Sequence, residues 1–261
     1  MADVINWDSF TLFLYITARM SGFVLFNPLL GRSSIPAYFK TGFILLLSFS
    51  AASSYTGMAQ APGTILELMV KLLLELGLGF LVGVVMNIFF YIPAQAGTAM
   101  DEQMGLSMAQ TYNPSFQGNL TPSASLLNVF AMLLFFTANG HYTLLRLMLT
   151  SGDLVPFGSA SLGEAAAERV VELFVDCVLL AVKLCLPILA SEFMGQVGMG
   201  ILMKVIPQIN VFAINIELKV LVGMVILFLL ISPFSEYLLG VETTMLSEIE
   251  RALAQVAGPA G

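Results

Sequence analysis

Residues 76–100 run for 25 positions without an Asp, Glu, Lys or Arg. A helix needs about 20 predominantly apolar residues to cross a bilayer core, so such a run belongs in lipid or inside a large hydrophobic assembly. Residues 220–235 repeat the pattern over 16 positions. The whole chain agrees: 58% of its 261 residues are hydrophobic and 10% are charged, against about 25% charge in a soluble domain. That stock cannot cover a surface facing water, which rules out a water-soluble monomer. With 17 acids, 10 bases and a formal net charge of −7 there is no basic stripe for phosphates, which rules out nucleic-acid binding.

Six hydrophobic segments follow from the pattern, at about 9–30, 37–55, 72–96, 123–147, 173–203 and 212–239. Turn formers separate several of them, among them Gly31 to Pro36, Ala61-Pro62-Gly63, and the stretch from Gly152 to Gly163. The predicted fold class is all-α, a set of hydrophobic helical hairpins with Pro and Gly breaks. Near the C-terminus, Leu238, Val241, Met245, Leu246, Ile249 and Leu253 recur at helical spacing, with Glu242, Glu248, Glu250 and Arg251 between them. This predicts an amphipathic helix over 236–256 whose acidic polar face favours a protein surface over anionic lipid. The first eight residues hold two acids and no base, the wrong sign for a secretory leader, and no cleavage is expected.

Several charges fall where lipid penalises them. The fifth segment contains Asp176, Lys183 and Glu192, the first contains Arg19, and the sixth contains Glu217 and Lys219. A charge at a helix centre costs roughly 2.5–3.5 kcal/mol on insertion scales. Glu217 and Lys219 can snorkel from a helix end or be held by protein. Asp176 and Lys183 share a helical face and can satisfy each other or a partner subunit; with Arg19, they are expected against protein rather than lipid. Loop charges give no orientation: six spans place Arg32, Lys40 and Lys204 on one side and Lys71, Arg146, Arg169 and Arg251 on the other. Insertion in a membrane alone therefore does not account for the chain.

From Gln103 to Leu145 the sequence holds no charged side chain for 43 residues, and its first part, through Pro122, is polar and turn-rich. Loops of this length are usually functional or disordered. A loop facing water collects charge, so a neutral one suits a channel lumen or a subunit interface. Met100, Met104 and Met108 recur at helical spacing beside it, as core filling or as a deformable seal. Further on, Pro207-Gln208-Ile209-Asn210 interrupts the apolar sequence, as a tight hairpin turn or as a broken helix of the kind that forms transporter sites. Gly79 and Gly83 form a GxxxG pair, a weak signal of close helix packing.

No motif supports catalysis or a metal. His141 is the single histidine and lacks a second ligand at i+3 or i+4, so it reads as a helix-end hydrogen bonder. Cys177 and Cys185 read as small apolar fillers. No nucleophile elbow, P-loop, zinc-protease motif or paired intramembrane aspartates occur. The expectation is a non-enzyme without cofactor.

Five motifs, in order, carry a resemblance: Gly31-Arg32-Ser33-Ser34-Ile35-Pro36, the run Ala96-Gly97-Thr98-Ala99-Met100-Asp101-Glu102-Gln103-Met104-Gly105-Leu106-Ser107, Asn139-Gly140-His141, Val155-Pro156-Phe157-Gly158, and Pro207-Gln208-Ile209-Asn210-Val211-Phe212. Together they resemble the FliR family of flagellar biosynthetic proteins and its virulence-system counterpart, SctT. The resemblance implies a component of the type III protein export gate in the bacterial inner membrane at the flagellar basal body. It implies partners FliP and FliQ in a hetero-oligomeric channel, FlhB at the entrance, and unfolded flagellar export substrates. It also implies a FliP-like part over 1–163 with a neutral plug loop at about 103–122, a FliQ-like hairpin over 164–240, and an amphipathic helix and tail over 241–261. On this reading Met104, Met108, Tyr112, Pro114 and Phe116 line the plug. Arg19, Asp176, Lys183, Glu192, Pro207, Gln208, Asn210, Glu217 and Lys219 make assembly contacts. The competing expectation is a polytopic secondary transporter with its site at the Pro207 break.

Overall fold

The computed structural model describes residues 7–55, 57, 62–106, 120–161, 163–205 and 211–256. Among them are nine helices and no strand: α1 (Trp7–Phe26), α2 (Ala37–Ser54), α3 (Ile65–Met104), α4 (Pro122–Thr137), α5 (Gly140–Leu149), α6 (Ser151–Leu154), α7 (Glu164–Val205), α8 (Val211–Leu229) and α9 (Ile231–Val256). The fold class is all-α, as the length of the apolar runs indicates.

Among the described residues, the six expected segments become three helices long and apolar enough to cross a membrane, α1, α3 and most of α7, or up to five spans if each bent pair counts as one. α2 falls outside that set, because Lys40 and four serines in its 18 residues dilute its apolar content. The segment expected over 123–147 is broken into α4 and α5, which meet at 66°. Asn139 sits between them in the left-handed region at φ 61°, a conformation that asparagine tolerates and most side chains do not. The segment over 212–239 is likewise split, α8 and α9 meeting at 62°. Pro233 falls in the first turn of α9, where a missing N–H costs nothing, so a new helix starts there more readily than the old one continues.

α3 begins seven residues before the expected segment. Lys71 Nζ and Glu67 Oε1 pair at 2.9 Å one turn apart, so its first turns are a solvated amphipathic extension of the apolar run. Its 40 residues correspond to about 60 Å of rise, twice a bilayer core. Both long helices carry an internal proline, Pro93 in α3 and Pro187 in α7, and each removes one hydrogen bond from the ladder.

The chain forms two compact units. The first comprises Met1–Phe89, Asn139–Phe174 and Thr243–Gly261; the second comprises Phe90–Ala138 and Val175–Glu242. The division expected at 163 and 240 rests on likeness to partner subunits and is a separate matter from these packing units.

In the first unit α1 and α3 cross with backbones in contact. A Cβ on Gly79 would strike the carbonyl of Arg19 and lie 2.6 Å from Phe23 N; one on Gly22 would strike the carbonyl of Leu76 and lie 2.9 Å from Phe80 N. Gly83 comes up against the Phe26 carbonyl in the same way, at 2.8 Å. The glycine pair that reads as a weak signal in sequence is the contact surface itself. Around it pack Tyr15, Ile16, Met20, Phe23, Leu78 and Val82, all fully buried.

The C-terminal half of α9 is amphipathic as expected, burying Met245, Ile249 and Leu253. Its acids are placed differently. Glu242 and Glu248 are buried rather than lying on a polar face. Glu248 can be buried because it is paired: Arg169 Nη2 and Arg251 Nη1 each donate to its carboxylate at 2.6 Å.

In the second unit Phe135 packs edge-on against Phe90 at 5.7 Å, and Tyr237 Oη on α9 donates to the Leu180 carbonyl on α7 at 2.9 Å. Cys177 and Cys185 are buried there, and neither forms a disulfide.

Candidate functional site

Two polar clusters lie inside this apolar chain, one in each unit. In the first, Arg19 of α1 is fully buried and each of its three side-chain nitrogens donates. Nε reaches Glu75 Oε2 at 2.6 Å, Nη1 reaches Ser151 Oγ at 3.1 Å, and Nη2 reaches the Val155 carbonyl at 2.9 Å. The guanidinium also lies over the Phe157 ring, 4.2 Å from its centroid. Glu75 of α3 is equally buried, and its other oxygen accepts from Gly158 N at 2.7 Å. An ion pair is tolerable at such depth only when further hydrogen bonds support it, and here every side-chain nitrogen of Arg19 and both oxygens of Glu75 have a partner. Gly158 can turn its amide inward because it sits at φ 86°, where a Cβ would meet the Tyr15 ring at 2.8 Å. Val155-Pro156-Phe157-Gly158 thereby gains a physical meaning. It supplies a carbonyl, an aromatic face and an amide to one buried salt bridge.

The second cluster surrounds the C-terminal end of α3 and the start of α4. Asp101, fully buried, accepts from Ser123 N at 2.7 Å. One turn earlier, Gly97 brings the two helix backbones together, since a Cβ there would overlap Ala124 and lie 2.7 Å from the Ser123 carbonyl carbon. One turn later, Met104 is fully buried in a notch left by Gly223 of α8. A Cβ on Gly223 would lie 2.6 Å from Met104 Cγ, 2.7 Å from its sulfur and 2.9 Å from Oε1 of Glu192 on α7. α3, α7 and α8 meet at that glycine. In this second cluster Asp101 Oδ1, Thr121 Oγ1 and Glu192 Oε1 are buried without a hydrogen-bond partner among the described residues; in the first unit Tyr15 Oη and Arg169 Nε are too. Lys219 forms no ion pair with Glu192 among the described residues.

Of the residues singled out from sequence, Arg19, Met104 and Glu192 are buried in these clusters. Asp176 and Lys183 are exposed on α7 and make no ion pair with each other. Glu217 is exposed and Lys219 half-buried. Met108, Tyr112, Pro114 and Phe116, like Pro207, Gln208 and Asn210, lie outside the described residues. Sequence reasoning missed Glu75, Ser151, Asp101, Ser123 and Gly223. A signal existed for the first: Glu75 is the acid at the head of the 25-residue uncharged run, one turn before Gly79, and Arg19 stands one turn before Gly22.

Long apolar helices, a backbone-to-backbone crossing and a buried, saturated ion pair define the chain as a helical membrane protein. Its affiliation is more specific. The sequence profile of the family described as Bacterial export proteins, family 1, matches residues 10–244, and the chain belongs to that family. It is 27% identical to the flagellar biosynthetic protein FliR of Escherichia coli (strain K12) over 248 residues, covering 94% of this chain and 95% of that protein. It is 25% identical to FliR of Bacillus subtilis (strain 168) over 254 residues, 95% of this chain and 97% of that one. It is also 27% identical to the Yop proteins translocation protein T of Yersinia pestis over 227 residues, 84% and 85% of the two chains. The likeness to both flagellar and virulence export proteins agrees with the resemblance carried by the five motifs. The chain is a membrane-embedded component of a type III export apparatus.

Proposed function

We propose that the chain is a channel-forming subunit of the flagellar export gate in the bacterial inner membrane, at the flagellar basal body. On this reading it assembles with FliP and FliQ, meets FlhB at the entrance, and passes unfolded export substrates without catalysing a reaction on them. Residues 1–163 take the FliP-like role and 164–240 the FliQ-like one. The carrying observation is the family match over 10–244, joined to a 43-residue stretch without fixed charge. A conduit for unrelated unfolded chains must hold none of them tightly, and fixed charges would do so. At rest a packed plug of apolar and neutral side chains can stop ions by excluding water. Met104, Met108, Tyr112, Pro114 and Phe116 are the side chains assigned to that plug.

The exposed side of α7 also supports a place in an assembly. Val175, Val178, Leu179, Val182 and Leu186 are all about half exposed, and Asp176 and Lys183 stand among them. Lipid suits the first group and penalises the second, whereas partner helices can match both. Deletion of 103–122 tests the reading. In cells expressing the assembled gate the deletion is expected to raise ion conductance. Unchanged conductance with normal assembly would overturn the plug.

A further inference from the structure

The helix start at α4 is capped in an unusual way. Thr121 occupies the N-cap position, yet its side chain makes no capping hydrogen bond. The amide that such a cap serves, Ser123 N, donates instead to Asp101, a residue 22 positions earlier on another helix. The unsatisfied amides and the dipole of a helix start both favour a carboxylate there. α3 ends within one turn of Asp101, with Gly105 in the left-handed region at φ 80° directing the chain away from the helix. The backbone therefore leaves α3 at 105 and returns at 121 to the place it left, and Gly97 against Ala124 seals that place from below.

We propose that Asp101 is a positioning residue that ties the end of α3 to the start of α4, and so holds together the two points from which the neutral segment departs and to which it returns. The functional weight of this clamp rests on the reading of the neutral segment as the plug of the conduit. The clamp itself does not. A chain segment with joined ends samples far fewer conformations than one with a free base, since the closure entropy is already spent. An uncharged loop has no ion pairs of its own to set its position, so its anchorage has to come from outside it. Met104 adds register: seated at Gly223, it fixes the last turn of α3 against α8.

The test uses the full-length chain with Cys177→Ala and Cys185→Ala, spin-labelled at Leu106→Cys and Leu120→Cys, and reads the distance distribution between the labels. The clamp requires a short, narrow distance in the otherwise unaltered protein, and a broad one overturns it at once. Asp101→Ala should abolish the short-distance population, while Asp101→Asn should keep it, because the carboxamide oxygen accepts the same N–H. Ser123→Pro breaks the bond from the donor side, in a first turn that tolerates proline, and should behave like Asp101→Ala. A short distance that persists in both Asp101→Ala and Ser123→Pro overturns the proposal. Ion leak is measured on the same variants in the assembled gate. Loss of the short distance with wild-type leak leaves the clamp standing and removes the plug reading instead.

Discussion

In the first unit, every side-chain nitrogen of the buried Arg19 and both carboxylate oxygens of Glu75 have partners drawn from this one chain. In the second, the equally buried Asp101 and Glu192 each keep one oxygen without a donor among the described residues. Both regions bury acids in apolar surroundings, and they treat them oppositely. A saturated cluster needs nothing further and serves the fold. An acceptor left open inside the protein is costly, about 1–3 kcal/mol, and such a cost persists at positions where something other than the isolated chain's stability is served. The contrast is one of buried acids, since Tyr15 Oη and Arg169 Nε of the first unit are also buried without a partner among the described residues, but no carboxylate oxygen there is.

Breaking the saturated cluster should have the largest effect. Arg19→Met leaves Glu75 charged, buried and unpaired, and loss of one member of a buried pair costs about 3–5 kcal/mol. Much of a domain's net stability would go, and the variant should be poorly recovered from membranes, with an early unfolding transition in detergent. Arg19→Met with Glu75→Leu removes both charges and should recover most of the loss, since apolar replacement of a buried pair is often neutral. If the double variant is as unstable as the single one, the pair matters through the groups it orients, Ser151 and the Val155–Gly158 turn, rather than through its own charges.

The contrast also explains what could be read in advance. Helix class, the apolar runs and the amphipathic α9 were legible because each depends on local pattern, run length for the first two and helical spacing for the last. The neutrality of 103–145 was legible because it is a matter of composition. Arg19 was recognisable as misplaced for lipid, but its partner was not, because Glu75 is 56 positions away and only the crossing of α1 on α3 joins them. The three glycines at that crossing belong to the same puzzle: Gly22 and Gly79 let the backbones close, and the charges one turn before them are then brought face to face. The bends at Asn139 and Pro233 were hidden within apolar sequence that, by hydropathy alone, reads as continuous. Asp101 was invisible as a cap because the sequence offers Thr121 in the usual place.

A middle-sized effect of opposite sign is expected in the second unit. Glu192→Met replaces a carboxylate lacking a donor by an apolar side chain of similar length, next to Met104 and Gly223. The isolated chain should become more stable by about 1 kcal/mol, read as a later unfolding transition in the same detergent. A drop in stability would mean that Glu192 is already satisfied within the chain, and the distinction between the two units would then be lost.

The smallest effect on the isolated chain should come from Asp176 and Lys183. Both are exposed and neither pairs with the other, so Asp176→Ala and Lys183→Ala should leave detergent stability within about 0.5 kcal/mol. What they change in the membrane depends on what faces them. Against lipid, each charge opposes insertion and alanine relieves it, so expression should rise with no change in associated proteins. Against partner helices the charges are matched across an interface, and alanine leaves the partner's group unpaired at depth. The unpartnered buried acids of the second unit favour the latter, and with FliP and FliQ as the proposed partners their co-purification should fall in both single variants. Full co-purification together with higher yield would place this face of α7 in lipid, and the unit would then have to be completed elsewhere, with Glu192 and Asp101 the remaining unfilled acceptors.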